Sequence, residues 1–202
     1  MPKITFFNLP EVKRQLLIHA IKKEFSRVPL YEASIANIIK SAKIPRGSFY
    51  QYFEDKEDAF YFLLNELSNE MKKNLFNILE IKKGDLFETM EEFFYMIIKG
   101  EDNFFLLRNI FLNMNYKVEN TFARSLRGHE LNGNYQELSL RVDKTKLNII
   151  DDHELFTAIQ IILTVTFRSF VEKFAKELSI EESMDHYKKQ LEILKKGLIH
   201  KQ

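Results

Sequence analysis

No cysteine occurs among the 202 residues, which excludes a disulfide framework and any cysteine-ligated zinc or iron–sulfur site. A reducing, cytoplasmic setting is the expectation that fits. Glycine and proline are scarce, 6 and 4 residues, together roughly 5% where an average chain has about 12%. A turn-rich sandwich or barrel needs a breaker every ~8–12 residues, so all-β architectures are excluded. All four prolines (Pro2, Pro10, Pro29 and Pro45) fall in the first 45 positions, and the rest of the chain runs without one. Long helices are expected there. The chain also lacks the glycine patterns of phosphate loops and nucleophile elbows, and its five histidines show no HExxH spacing. No enzyme, no metal site and no cofactor are expected. The longest apolar stretch, Ile159–Phe167, is interrupted by Gln160, Thr164 and Thr166 and falls far short of the ~18–20 residues of a membrane span. Met1–Pro10 carries one lysine and no apolar run, so neither a signal peptide nor a membrane partner is expected.

What is present is unevenly distributed. The net charge of +1 conceals a gradient: residues 1–56 sum to +5 and the remainder to −4. Such asymmetry points to a polyanionic partner at the N-terminal end, nucleic acid foremost. Phenylalanine is abundant, 19 of 202, and hydrophobic residues make up 45% of the chain, ample for one core or two small ones.

Periodicity places the helices. Asn8 is a candidate N-cap with Glu11 as its reciprocal partner, and Phe7 and Val12 are spaced for a hydrophobic staple. Leu17, Ile21 and Phe25 mark the buried face of this first helix, which Val28-Pro29 ends. Ser34 is a second N-cap, opening a short helix to about Ala42. Pro45 suits the first turn of a third helix over Arg46–Phe53. Longer helices are expected over Lys56–Glu80, Leu86–Lys99, Asn103–Asn115, Val118–Arg127, Asp151–Leu178 and Glu181–Leu198. The stretch 128–148 supports no assignment. The cluster Asp151-Asp152-His153-Glu154 is explained as a helix cap.

Three short helices, the second and third joined by the tight Ala42-Lys43-Ile44-Pro45 turn, describe a helix-turn-helix. On the third, Phe49 and Phe53 share one face, which must pack inward. Gly47, Tyr50 and Gln51 fall opposite, with Ser48 at the edge. An exposed face of Gly, Tyr and Gln headed by Arg46 suits a helix in a major groove. Glycine permits close approach, Gln51 can pair with adenine, and Arg46 can reach guanine or phosphate. Tyr50, Tyr52 and Lys56 are placed for phosphates.

The run Leu16–Phe25, then Ser34-Ile35 with Ile38, then Ser41 through Glu57, resembles the N-terminal domain of TetR/AcrR-family transcriptional regulators. The resemblance covers about the first 60 residues. It implies an all-α fold with a helix-turn-helix DNA-binding domain over 1–56 and a helical effector-binding and dimerisation domain over 57–202. It puts Ser34, Arg46, Gly47, Ser48, Tyr50, Gln51, Tyr52 and Lys56 at the DNA, and Lys43 adds a charge near it. The chain departs from the family pattern at Lys43, where the turn glycine stands, at Pro29 and at Ile39. Lys43 must therefore accept a backbone geometry that glycine adopts more readily.

The resemblance further implies a homodimer on a palindromic double-stranded DNA operator, with the last two helices forming the partner face. The seam residues on those helices are Leu163, Phe170, Phe174, Tyr187, Leu191, Leu194 and Leu198. It implies, too, a small apolar or aromatic effector in the C-terminal region, for which Phe93, Met96, Phe104, Phe105, Phe111, Met114, Phe122 and Phe167 are the candidate lining. Ordinary core packing is the competing reading for each. A repressor is expected; the alternative is a helical protein-interaction module that keeps the three-helix fold without DNA recognition.

Overall fold

The computed structural model describes residues 1–127 and 136–198. Eleven α-helices lie among them: α1 (Ile4–Phe7), α2 (Glu11–Arg27), α3 (Ile35–Ala42), α4 (Arg46–Tyr52), α5 (Lys56–Ile81), α6 (Leu86–Lys99), α7 (Phe104–Leu112), α8 (Tyr116–Arg127), α9 (Gln136–Ser139), α10 (Asp152–Ala175) and α11 (Ile180–Leu198). A single 3-10 turn covers Lys144–Lys146, and no strand occurs among the described residues. The fold is all-α. The chain forms two compact units: residues 1–68 with 102–121, and residues 69–101 with the described residues from 122 on. Packing thus groups α7 and the start of α8 with the N-terminal helices, whereas the sequence suggests a break at 56/57. The break falls at the first residue of α5, a helix that runs on without interruption. Of the unassigned stretch 128–148, residues 128–135 lie outside the described residues.

In the first unit, Leu17, Ile21, Phe25, Ile38, Phe49 and Phe53 are each at most 1% exposed. The four-residue spacing on α2 and the Phe49–Phe53 pair therefore form one core. The start of α2 differs from expectation. Asn8 closes α1, its N–H reaching the Ile4 carbonyl at 3.2 Å, and Pro10 takes the N-cap position with φ −52° and no side-chain cap. Proline pre-sets the helical φ and has no N–H to satisfy. Glu11 instead pairs with Arg14 and Gln15, and Phe7 and Val12 are 51% and 74% exposed, so no staple forms. Val28 is extended ahead of Pro29, as steric conflict with the proline ring requires.

The second unit takes in the end of α5, residues 69–81. Lys83 and Gly84 both take positive φ, 53° and 78°, and the Gly84 N–H returns to the Leu79 carbonyl at 2.9 Å. A Cβ on Gly84 would stand 2.6 Å from the Asp143 nitrogen, because the 141–143 backbone closes over this turn. Asp85 caps α6 by accepting from the Glu88 N–H at 3.0 Å. Asp151 caps α10 by accepting from Glu154 at 2.9 Å, and Asp152 pairs with Lys144 at 2.6 Å, so the acidic cluster is a helix start. At the core, Phe94 stacks on Phe170 at 4.9 Å and meets Tyr187 at 4.2 Å. The Tyr187 hydroxyl lies 2.7 Å from Thr166 Oγ1, and burial holds its phenol well above the usual range against the opposing Thr166 hydrogen bond.

This core fills much of the expected partner face from within the chain. Leu163, Phe170, Phe174, Tyr187 and Leu191 are all buried within the single chain, and Leu194 and Leu198 are half-buried. Heptad-like spacing marks a seam without saying which helix fills it, and here α6 packs against α10 and α11. Helix α10 is long and apolar enough, by length and composition, to cross a membrane. Counting uninterrupted apolar runs missed this, but Leu155, Ile159, Ile162 and Thr166 bury it as a core helix.

Candidate nucleic-acid interface

Helix α4 has seven residues, too short to persist alone in water, so its placement depends on what holds its ends. Pro45, extended at φ −60° and ψ 147°, opens it. Phe49 and Phe53, both fully buried, anchor its inner face, their rings 5.6 Å apart. The far end carries carbonyls that the helix itself cannot satisfy. Phe53 N–H donates to the Phe49 carbonyl at 2.9 Å. The other three are taken by the segment before α2: Lys3 Nζ donates to Tyr50 O at 2.8 Å, Thr5 Oγ1 to Gln51 O, and Lys3 N–H to Tyr52 O at 2.8 Å. Phe6, 1% exposed, fixes this arm by packing on Phe53 and Phe62 at 5.1 and 5.0 Å. Sequence reasoning missed Lys3 and Thr5. A lysine and a threonine near a chain start carry no pattern, and their partners are backbone atoms 46 and 47 residues away.

The outer face of α4 is what the sequence predicts. Arg46, Gly47, Tyr50 and Gln51 are exposed, and Ser48 and Tyr52 are half-buried at its edge. A Cβ built on Gly47 meets nothing within 4 Å. The fold therefore leaves this position open and does not itself demand glycine.

Helix α3 meets α4 through the turn at Lys43, which takes φ 55° and ψ 41° as the C-cap. The Ile44 N–H closes the turn on the Ile39 carbonyl at 3.1 Å. Lys43 thus accepts the left-handed geometry and keeps an exposed ammonium beside α4. Ser34 occupies the N-cap position of α3, but its side chain makes no cap bond. Its N–H instead donates to Glu24 Oε1 at 2.8 Å.

Glu24, 4% exposed, organises this junction. Its carboxylate accepts from Arg27 Nη2 at 2.7 Å, from Asn37 Nδ2 at 3.1 Å and from Ser34 N–H. Burial would raise its carboxyl, but hydrogen bonds from Arg27, Ser34 and Asn37, with the Arg27 charge, outweigh it and hold the group below the ordinary carboxylate range. Lys56 Nζ, expected at a phosphate, donates to the Tyr31 and Ala33 carbonyls at 2.8 and 3.1 Å. It ties down the loop ahead of Ser34, with one N–H remaining. Around Lys23, Arg27, Lys40 and Lys43 the surface forms an open hollow of about 650 Å³, a basic flank to the α3–α4 face.

The expected effector residues divide between the two units. Phe104, Phe105, Phe111 and Met114 belong to the first unit, and Phe93, Met96, Phe122 and Phe167 to the second. Phe105 is 64% exposed. Phe93, Phe111 and Phe122 are buried as core, Phe122 against the half-buried Phe167 at 5.6 Å. Met96 and Phe104 are half-buried. Met114 lines a cavity of about 350 Å³ within the first unit.

Comparison with known proteins places this geometry. The family model described as "Bacterial regulatory proteins, tetR family" matches residues 17–60, the segment holding α3, α4 and the junction at Glu24. The one described as "Tetracyclin repressor-like, C-terminal domain" matches residues 85–198. The HTH-type transcriptional regulator BetI of Yersinia pestis (strain Pestoides F) is 34% identical over 79 residues, 37% of this chain and 38% of that protein. The chain spans about a third of the length of the curated relatives it matches. A TetR family transcriptional regulator from Chloroflexus aurantiacus has the same fold over 100% of both chains, with TM-score 0.54 and 22% identity. The regulator FadR from Bacillus subtilis, in complex with stearoyl-CoA, covers 92% of this chain and 99% of its own, with TM-score 0.62 and 17% identity. With both family models in register with the two halves of the sequence, the chain belongs to the tetR family of bacterial regulatory proteins.

Proposed function

We propose that the protein is a sequence-specific DNA-binding transcriptional repressor that acts as a homodimer in the cytoplasm. The observation that carries this reading is the outer face of α4. A glycine that the fold does not require sits between Arg46 and the exposed Tyr50 and Gln51, where a groove floor could approach the backbone closely. Lys43 and the Ser34 hydroxyl flank this face for phosphates, which position the helix without specifying sequence.

Two copies would place two α4 helices about 34 Å apart, one helical turn of DNA, and so read a palindrome. The residues that α10 and α11 leave exposed supply a partner face different from the buried seam. Ile161 is 45% and Ile193 69% exposed, and Gly197, one turn beyond Ile193, has open space where a Cβ would stand. FadR, a neighbour in fold, is described with stearoyl-CoA bound. That supports an apolar effector here as well, acting by favouring a geometry that DNA does not.

The test is selection of bound sequences from random duplex DNA, followed by anisotropy titration across salt. A palindromic consensus and a steep log–log salt dependence are expected. Tyr50→Ala and Gln51→Ala should each weaken specific binding while leaving the fold intact. Unchanged function in both folded variants would favour a protein-interaction module instead.

A further inference from the structure

The cavity lined by Met114 lies wholly within the first unit, between the α2–α3 connection, the first turns of α5, and α7 with the start of α8. Its walls are apolar: Phe25, Phe60, Ile110 and Val118 are each at most 6% exposed. At about 350 Å³ it falls at the low end of small-molecule sites. A cavity of roughly 150 Å³ already holds benzene, so there is room for a substituted ring.

The polar groups on its rim decide what kind of ring. Asn109 Nδ2 is committed to the Phe25 and Ser26 carbonyls at 2.9 and 3.0 Å, and Asn113 Nδ2 to Asn109 O at 2.9 Å. Lys56 Nζ holds the Tyr31 and Ala33 carbonyls. The amide oxygens of Asn109 and Asn113 remain as acceptors, with the Glu57 carboxylate, which Lys117 faces at 4.0 Å, while Lys56 and Asn113 each keep one N–H to donate. A ligand matching this rim carries a group that both donates and accepts, as an amine or a phenol does.

The same groups orient the DNA-facing elements. Asn109 closes the carbonyl end of α2, and Lys56 fixes the loop leading to Ser34. A donor-bearing occupant competes for those carbonyls, which links occupancy to the DNA-binding geometry. We propose that this cavity is an effector site inside the DNA-binding unit, taking a compact aromatic amine or phenol whose binding weakens operator affinity. The proposal rests on the DNA-binding reading above.

The full chain has no cysteine, so Met114→Cys introduces a unique thiol at the cavity mouth. Its methyl disulfide reproduces the length of methionine; its 4-aminobenzyl disulfide places an aromatic amine in the cavity. The methyl adduct should bind the selected operator within twofold of the natural chain, and the aminobenzyl adduct at least tenfold more weakly. The same aminobenzyl group on Leu140→Cys, at an 82% exposed position, should have no effect. Equal operator affinity for the two Met114→Cys adducts would overturn the proposal.

Untethered p-toluidine should saturably shift the Ile110 and Val118 methyl resonances, and Val118→Phe, which fills the cavity, should abolish the shift. This arm needs no DNA and decides the site if the adduct unfolds. No saturable shift in the natural chain would overturn the site. Absence of specific DNA binding by the natural chain, with the shift present, would instead overturn the DNA-binding reading and the coupling built on it.

Discussion

Replacing Gly47 by alanine adds one methyl group at the second position of α4. Gly47 does not take positive φ, so alanine can adopt its backbone geometry, and the new Cβ meets nothing within 4 Å. No packing is gained or lost. What changes is the conformational freedom of the unfolded chain, which alanine reduces. At a compatible site this stabilises by about 0.4–1 kcal/mol, or roughly 1–4 °C in Tm for a chain of this length. The methyl points from the face proposed to meet DNA, where it would hold the helix back from the groove. The loss of close contact should cost about 1.4 kcal/mol or more per half-site, a factor of about ten. Thermal melting and operator anisotropy on the same preparation should therefore move in opposite senses, with G47A more stable and weaker in binding. If G47A binds the operator as tightly as the natural chain, the assignment of this face to DNA fails. If it melts lower, the reasoning about open space fails.

The arm before α2 predicts that Lys3→Met and Thr5→Val each lower specific operator affinity about 3–10-fold by leaving α4 carbonyls unpaired, at ~1 kcal/mol each. The salt slope should stay near that of the natural chain, because the Lys3 ammonium serves the backbone; a slope reduced by about one would assign it to a phosphate instead. Glu24→Gln should destabilise by about 1–3 kcal/mol at pH 7, since a neutral amide replaces a charged acceptor of several hydrogen bonds. The carboxyl is held low in the fold, so its contribution is whole above the unfolded value of about 4.3 and is lost as pH falls through the folded value. Urea titrations across that acid range should show a shallower limb for the variant, and identical limbs would refute the assignment. Gly84→Ala should destabilise by about 2–4 kcal/mol, combining left-handed strain with the clash at the Asp143 nitrogen; a change under 1 kcal/mol in denaturant melts would contradict it. Thr166→Val should cost more than Tyr187→Phe, about 1–3 against 0.5–1 kcal/mol. The first strands a buried phenol, while the second leaves Thr166 bonded to Ile162 O at 2.7 Å. The reverse order in chemical denaturation would refute it.

The exposed face of α4 was legible because its logic is local. Phe49 and Phe53 recur at helical spacing, Pro45 opens a turn, and Gly47 stands out on a surface that would otherwise favour lysine and glutamate. The bounds of α3, α5 and α6 were legible for the same reason, since periodicity along a single helix sets them to within a residue or two. At Asn8 the local rule failed, because Asn8 and Pro10 both fit a helix start and proline's fixed φ took the position.

Sequence by itself determined that the chain is helical, that its basic end is a helix-turn-helix, and which side of α4 turns outward. These follow from periodicity and backbone geometry over a few residues. Only the tertiary structure decided what each apolar seam touches. Tyr187 and Phe170 have the spacing of a partner face but are filled from within by Phe94, because an amphipathic stripe records that it must be covered and not by what. Tertiary structure alone also revealed the bonds from Lys3 and Thr5 to α4, the Glu24 junction and the cavity at Met114. Each brings together groups far apart in the chain, and side-chain spacing along one helix carries no information about them.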